Sequence, residues 1–222
     1  MADPVILTFG DATLRKSDVE LLGPGKWLND SVIGFAFECI ASKNKSKFCS
    51  GDVVLVSAAS VMLARFAGDD FVREVFGSQL GISRCKLALF PVNDKTDVEQ
   101  SIGGSHWSLL VFCSSDGFIH FDSAGGLNRK HAREISRLVG PAIPSKSPRT
   151  FFECKTTPMQ QNGTDCGLFA IAFAEEIVQE FDPSLEHFGF GSCESVVRRI
   201  SPTEVSSCNR KKILQSISDL KK

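Results

Sequence analysis

The spacing of apolar residues along the chain predicts a helical first part, a central block of strands and a helical last part. Apolar positions recur with helical spacing in four early segments, at residues 11–22, 31–42, 57–67 and 69–76. Gly23 marks the end of the first segment. Asn29, Asp30 and Ser57 carry side-chain oxygens of the kind that cap helix N-termini, and Asp69 can begin the fourth segment. We therefore expect the first 80 residues to be mainly helical.

Short apolar runs in the middle of the chain predict β-strands. They occupy residues 86–92, 107–112, 118–121 and 150–154. The segment 114–117, with the sequence SSDG, has the composition of a turn, so we expect the second and third runs to form a hairpin. A block of strands with helices before and after it is typical of an α+β fold.

Three later segments predict helices. Residues 128–139 read as an exposed helix with basic residues, and residues 166–181 are apolar enough for a buried helix. The tail from Ser201 reads as an amphipathic helix. We expect one catalytic domain over residues 1–222, with a helical part at 11–80, a sheet and catalytic part at 83–181, and a helical tail at 182–222.

Length and charge narrow the classes of function. The 222 residues carry a net charge of −1, so the chain lacks the basic excess that phosphate binding requires. It begins without a secretory signal and contains no apolar run of about 18 residues. We expect a monomer of the cytoplasm, and also of the nucleus, that binds neither nucleic acid nor membrane.

The cysteines are scattered rather than arranged as a framework. None belongs to a C-x-x-C pair and no histidine lies at ligand spacing from any of them, so we expect neither disulfides nor a zinc site. We expect no metal and no organic cofactor. We expect most of the eight cysteines to be reduced and buried. The eight are Cys39, Cys49, Cys85, Cys113, Cys154, Cys166, Cys193 and Cys208.

Cys166 differs from the others because it joins a polar loop to the apolar helix. Free backbone N–H groups and the helix dipole favour a thiolate at a helix N-terminus. Asp165 can cap the helix, and Gly167 leaves room for a substrate backbone beside the sulfur. The amide of Gln161 can donate to a developing oxyanion. The same pattern also fits a buried cysteine that begins a core helix.

His106 and Asp122 both lie at the open end of the predicted hairpin. A symmetric register places His106 opposite a residue two or three beyond Asp122, so the hairpin predicts that they are neighbours without establishing contact. If they meet, the carboxylate can orient the ring while its other nitrogen takes the thiol proton. A solvent-facing role for His106 remains open, and His120, His131 and His187 are competing bases.

Four motifs contain these residues: WLND at 27–30, GGSHWSLL at 103–110, FDS at 121–123 and QNGTDCG at 161–167. Together, and in this order, they resemble the Ulp/SENP cysteine proteases, which act on ubiquitin-like modifiers. The resemblance is clear over residues 17–40, 100–135 and 158–178. Within that family the chain is most similar to the deneddylases, through the segments DPV at 3–5, LRKSDV at 14–19 and GFAFE at 34–38.

The resemblance implies an Ulp/adenain-like fold, in which helices flank a central mixed β-sheet and the nucleophile begins a buried helix. It also implies cleavage after the C-terminal Gly-Gly of a ubiquitin-like modifier, and the similarity to the deneddylases implies that this modifier is the neddylation modifier (called RUB in plants). Two tryptophans would cover the Gly-Gly tail, and Asp30 would contact the modifier or cap a helix. The implied residues are His106, Asp122, Gln161 and Cys166 for catalysis, and Trp27, Trp107, Asp30 and Gly167 for substrate binding.

Other functions fit parts of this pattern. A SUMO-specific protease of the same family would use the same residues. An acetyltransferase with a related fold would need a site for an acetyl donor, and the sequence has no glycine-rich phosphate loop or basic cluster near the motifs. A catalytically silent binder would not need the full catalytic set, and a purely structural α+β domain would make the four motifs coincidental.

Overall fold

The computed structural model describes residues 2–65, 68–95, 104–144, 146–185 and 188–221, and the strands in these ranges form two sheets. β1 and β2 form a small antiparallel pair, and the other five strands form one sheet. The strands are β1 (Val5–Phe9), β2 (Ala12–Arg15), β3 (Val53–Leu55), β4 (Leu87–Asn93), β5 (Trp107–Cys113), β6 (Gly117–Phe121) and β7 (Phe151–Glu153).

The five-stranded sheet is mixed, and its order is β3-β4-β5-β6-β7. β4, β5 and β6 are antiparallel neighbours, whereas β3 and β7 run parallel to β4 and β6. Every residue of β5 and β6 is buried, because helices cover both faces of the sheet. Strands buried on both faces read as continuous apolar runs, as they do here. The prediction of an α+β fold with a mixed sheet and a β5–β6 hairpin is confirmed.

Helices pack on both faces of this sheet. α7 lies against β5 and is surrounded by α2, α8 and α9, whereas α4 and α6 cover the opposite face. Within the described ranges, no helix combines the length and apolar character needed to cross a membrane. The helices are α1 (Lys16–Glu20), α2 (Asp30–Lys43), α3 (Lys45–Cys49), α4 (Ala58–Ala64), α5 (Asp69–Val72), α6 (Arg129–Leu138), α7 (Cys166–Glu180), α8 (Phe190–Arg198) and α9 (Pro202–Leu220).

Two of the predicted helix caps are present. Asn29 Oδ1 accepts a hydrogen bond from the backbone N–H of Val32 at 3.1 Å, and Ser57 Oγ accepts from that of Ser60 at 3.0 Å. The prediction that Asp69 begins a helix is confirmed: Gly68 holds the cap position before it, and the helix continues beyond α5 as a π-helix over Arg73–Gln79. Residues 66 and 67, the predicted end of the helix after Ser57, lie outside the described ranges.

The helix predicted over residues 11–22 is wrong in its first part. Ala12–Arg15 forms strand β2, and helix α1 begins only at Lys16. The turn between β1 and β2 contains Gly10 with φ of +56°, and a Cβ there would lie 2.0 Å from the Glu38 carboxylate. Pairing with β1 therefore overrides the local helical spacing. The sequence pattern did not predict β1, α3 or β3, and α8 falls within the predicted helical tail without having been predicted as a separate helix.

Candidate active site

The β5–β6 hairpin brings His106 and Asp122 into contact. The two strands pair Leu109 with Phe121 and Leu110 with His120. Continued beyond the strand ends, this register sets His106 opposite Ala124, two residues after Asp122. The ring crosses diagonally to the carboxylate, and His106 Nε2 lies 2.6 Å from Asp122 Oδ1. This contact leaves the other ring nitrogen of His106 available for the thiol.

Two backbone amides fix the Asp122 carboxylate in this position. The N–H of Ala124 donates to Oδ1 and that of Asn128 donates to Oδ2, each at 2.8 Å. Burial opposes ionisation of the carboxyl group, but the hydrogen bond and charge of His106, together with the two amides, outweigh burial and lower the pKa of Asp122. Asp122 therefore orients His106 as an ionised, immobilised acceptor.

Asn128 is a positioning residue that the sequence analysis missed. Its side chain is buried, and Nδ2 donates to the carbonyl oxygens of His106 at 3.1 Å and Val92 at 3.2 Å. Its backbone N–H holds Asp122, so one residue fixes both members of the pair. An asparagine just before a helix is an ordinary capping residue, and nothing in the sequence marked this one as different.

The backbone before His106 is fixed from the end of β4. Asp94 Oδ1 accepts hydrogen bonds from the backbone N–H groups of Ser105 at 2.6 Å and His106 at 3.1 Å. Gly104 adopts φ of +83°, and a Cβ at this position would lie 1.9 Å from Asn93 Oδ1. The site therefore needs glycine at this residue, both for its backbone conformation and for space.

Cys166 is the first residue of α7 and is buried, as predicted for a nucleophile at the N-terminus of a buried helix. Its side chain is an electrostatic partner of the His106 imidazole. Burial of the imidazole opposes protonation, but the interactions with Asp122 and Cys166 outweigh it and raise the pKa of His106 to about 9. The Cys166 thiol, the His106 imidazole and the Asp122 carboxylate thus interact in the order that nucleophilic catalysis requires.

Asp165 does not cap α7, although we predicted that it would. It occupies the cap position, but its side chain makes no capping hydrogen bond. Its carboxylate instead accepts from Asn162 Nδ2 at 2.8 Å and from Arg210 Nη2 at 2.9 Å. A charged guanidinium in a buried setting is a stronger donor than the helix amides.

The loop before Cys166 contains two glutamines with different surroundings. Gln161, the predicted oxyanion donor, has an exposed side chain. Gln160 is held against the end of β6: its backbone N–H donates to Ser123 O at 2.9 Å, and its Oε1 accepts from Ser123 Oγ at 2.8 Å. Its Nε2 donates to Asn162 O at 2.6 Å, which leaves a second N–H on that nitrogen. Of the two amides, Gln160 is the one fixed beside Asp122.

The predicted substrate-binding residues lie around the same loop. Trp27 is 53% exposed, and its indole N–H donates to Gly163 O at 2.6 Å. Trp107 is buried, and its indole N–H donates to Leu28 O at 2.9 Å. Gly167 faces Leu28, whose Cβ would lie 3.1 Å from a Cβ on the glycine, so close packing accounts for this glycine. Asp30 is exposed at the first position of α2, and Asn29 rather than Asp30 caps that helix.

The other described histidines lie outside this cluster. His120 is buried between Ser108 Oγ, at 2.8 Å, and the Glu153 carboxylate, at 2.9 Å. His131 lies on α6, and His187 falls outside the described residues. The described part of the chain contains no group of three or more histidine, cysteine, aspartate or glutamate residues placed to hold a metal ion.

Comparison with known proteins agrees with this geometry. Residues 26–195 match the Ulp1 protease family, C-terminal catalytic domain. Sentrin-specific protease 8 of Rattus norvegicus is 36% identical over 180 residues, which cover 80% of this chain and 81% of the relative. NEDD8-specific protease 1 of Arabidopsis thaliana is 33% identical over 180 residues, covering 81% and 77%. The solved C-terminal Ulp1 protease domain, in complex with the yeast SUMO ortholog SMT3, has a TM-score of 0.60 at 17% identity and covers 95% of this chain and 90% of that one.

Proposed function

Because this chain belongs to the Ulp1 protease family of cysteine peptidases, we propose that it hydrolyses the bond after the C-terminal Gly-Gly of a ubiquitin-like modifier, with NEDD8 as the preferred modifier. The interaction of His106 with Cys166, together with its contact with Asp122, carries the proposal, because it supplies a nucleophile, its base and the group that orients the base. NEDD8 is favoured over SUMO because the relatives named for NEDD8 share about twice the sequence identity of the SUMO protease structure.

The proposed reaction is acyl transfer to water. The Cys166 thiolate attacks the carbonyl carbon of the last glycine of the modifier, and the backbone amides at the start of α7 stabilise the oxyanion. His106 protonates the leaving amine, which departs as the thioester forms. His106 then takes a proton from water, and the resulting hydroxide equivalent attacks the thioester and releases the modifier carboxylate. Asp122 keeps the imidazole in one orientation throughout.

We propose that the tryptophans select the Gly-Gly tail. A tail without side chains fits a narrow slot that excludes bulkier sequences, and a flat indole makes a suitable wall. Trp27 supports this role because its exposed ring is fixed by Gly163, three residues before Cys166. Trp107 would contribute from beneath by holding the backbone at Leu28. The exposed Asp30 carboxylate is available to the body of the modifier.

We predict that Gln160→Ala lowers kcat about 100-fold, the usual effect of removing one oxyanion donor, and that Gln161→Ala has a much smaller effect. The reason is that an oxyanion donor must be held in place before the reaction, and Ser123 holds Gln160 whereas Gln161 is exposed. The measurement is steady-state hydrolysis of a modifier fusion by the two matched variants. The opposite ranking would assign the role to Gln161, as the sequence motif predicts.

We predict that hydrolysis of a peptide bond falls as the pH rises through about 9, because the leaving amine needs the protonated His106 ring. Asp122→Asn removes the charge that favours the imidazolium, so the alkaline limb of kcat/KM should move to lower pH. The measurement is the pH profile of kcat/KM for both proteins on a fusion substrate with an amine leaving group. An alkaline limb at the same pH in both would show that another group titrates there.

A labelling panel tests the proposed substrate. The protein is mixed separately with NEDD8, SUMO and ubiquitin, each bearing a thiol-reactive electrophile in place of the C-terminal carboxyl group. We expect a covalent adduct by intact mass with NEDD8, and none with Cys166→Ala. An adduct with SUMO alone would show that SUMO, and not NEDD8, is the substrate. No adduct with any modifier would contradict the proposal and favour acetyl transfer or silent binding.

A further inference from the structure

Arg210 lies on α9, beyond the residues that match the protease family, yet its side chain reaches the segments around the active site. The guanidinium is buried. Nη1 donates to Leu21 O at 2.8 Å, and Nη2 donates to Lys26 O at 2.6 Å and to Asp165 Oδ1 at 2.9 Å. The planar fork of a guanidinium suits three acceptors in fixed directions, which the single ammonium of lysine cannot match.

The contact with Asp165 affects the residue next to the nucleophile. A carboxylate at the cap position normally accepts hydrogen bonds from the first amides of the helix. Here the Asp165 carboxylate accepts hydrogen bonds from Arg210 and Asn162 instead. The carboxylate is therefore drawn away from the amides beside Cys166. Those amides and the positive end of the helix dipole are left to act on the thiolate and the oxyanion.

The contacts with Leu21 and Lys26 act on the other wall of the site. These two carbonyl groups flank the turn at 23–25, directly before Trp27. Trp27 in turn bonds Gly163 in the loop that leads to Cys166. Arg210 thus connects the nucleophile loop with the segment that carries the exposed indole.

We propose that Arg210 is a positioning residue for hydrolysis, which holds the Asp165 carboxylate away from the N-terminal amides of α7 and anchors the segment before Trp27. The inference rests on the proposed role of Cys166 as nucleophile. Burial of Asp165 opposes ionisation, but hydrogen bonds from Asn162, Arg210 and Ser206 outweigh it and lower its pKa. Asp165 is therefore a charged group, and its placement matters to a thiolate on the next residue.

The test compares Arg210→Ala, Arg210→Lys and the double variant Arg210→Ala/Asp165→Asn, with Lys211→Ala as the matched loss of a cation from the same helix. Two rates are measured: alkylation of Cys166 by iodoacetamide at pH 7, followed by peptide mass, and turnover of a modifier fusion. We expect Arg210→Ala to slow alkylation and kcat about tenfold each, the size of effect that a carboxylate beside a helix N-terminus produces. The double variant should recover the alkylation rate, because asparagine carries no charge to oppose the thiolate.

Folding is followed separately by thermal denaturation, because loss of one partner of the buried Arg210–Asp165 ion pair also destabilises the folded protein. A lower Tm with unchanged alkylation and kcat would overturn the proposal, as would equal alkylation rates in the single and double variants. If Arg210→Ala does not fold, Arg210→Lys takes its place in the test. We then expect a smaller slowing of alkylation, which adding Asp165→Asn to Arg210→Lys should again reverse. Alkylation needs no modifier, so this pattern would support the role of Arg210 even if every substrate in the labelling panel failed.

Discussion

Replacing Cys166 with alanine should reduce hydrolysis by about 100,000-fold or more while the protein still folds and binds its modifier. In the proposed reaction the acyl group first bonds to this sulfur, and water attacks only the thioester so formed, so no step can proceed without it. Cys166 begins α7 and lies in the core, where alanine occupies less space and continues the helix without strain. Binding is measured by calorimetry with NEDD8, and turnover with a NEDD8 fusion.

Cys85→Ala is the matched control for this loss. Cys85 is also buried, but it follows the short 3₁₀ turn Ile82–Arg84 and its thiol donates to Ile82 O at 3.4 Å, away from the catalytic cluster. The control should lower the Tm and leave kcat/KM unchanged. If Cys166→Ala retained turnover, or if it lost binding and folding together, Cys166 would be a structural cysteine.

Replacing His106 with alanine should lower kcat/KM about 10,000-fold and abolish rapid alkylation of Cys166 near neutral pH. In the proposed mechanism the imidazole accepts the thiol proton and its charge stabilises the thiolate, while Asp122, 2.6 Å from Nε2, holds the ring for both tasks. Without the ring, alkylation should become fast only at alkaline pH, as for an ordinary thiol.

The rate of iodoacetamide labelling as a function of pH is the measurement, and His131→Ala is the control. His131 lies on α6. The charged groups that act most strongly on its imidazole include Arg65 and Glu134 and do not include Cys166. Its variant should label at the wild-type rate across the pH range. Wild-type labelling kinetics in His106→Ala would mean that a different group activates the thiol.

The parts of the site that follow local rules could be predicted from the sequence. A turn sequence between two apolar runs predicted the β5–β6 hairpin, and the register of that hairpin alone set His106 and Asp122 at the same end. The change from polar loop to apolar helix predicted the position of Cys166. In each case the decisive interactions lie within a few residues of chain or across one pair of strands.

The parts that depend on distant segments could not be predicted in this way. Asp165 has the sequence position of a helix cap, and Arg210, 45 residues later, helps Asn162 to divert its carboxylate. Residues 12–15 have a helical pattern, and only pairing with β1 makes them a strand. Gln160 and Gln161 are chemically identical neighbours, and the difference between them comes from Ser123 on another element.

The central position of β5 and β6 in the sheet makes the backbone near His106 and Asp122 harder to open than the connection that carries Trp27. Both strands are paired on either side, so the backbone beside His106 and Asp122 opens only with the sheet itself. Trp27 instead lies on the connection between α1 and α2, after a turn with two glycines, and its ring is half exposed. This connection is held by the hydrogen bonds from Arg210 and to Gly163 rather than by strand pairing, so we expect its local opening to cost less free energy than opening of the sheet. If Trp27 borders the substrate entrance as proposed, the entrance would admit and release a tail many times while His106 and Asp122 stay in register.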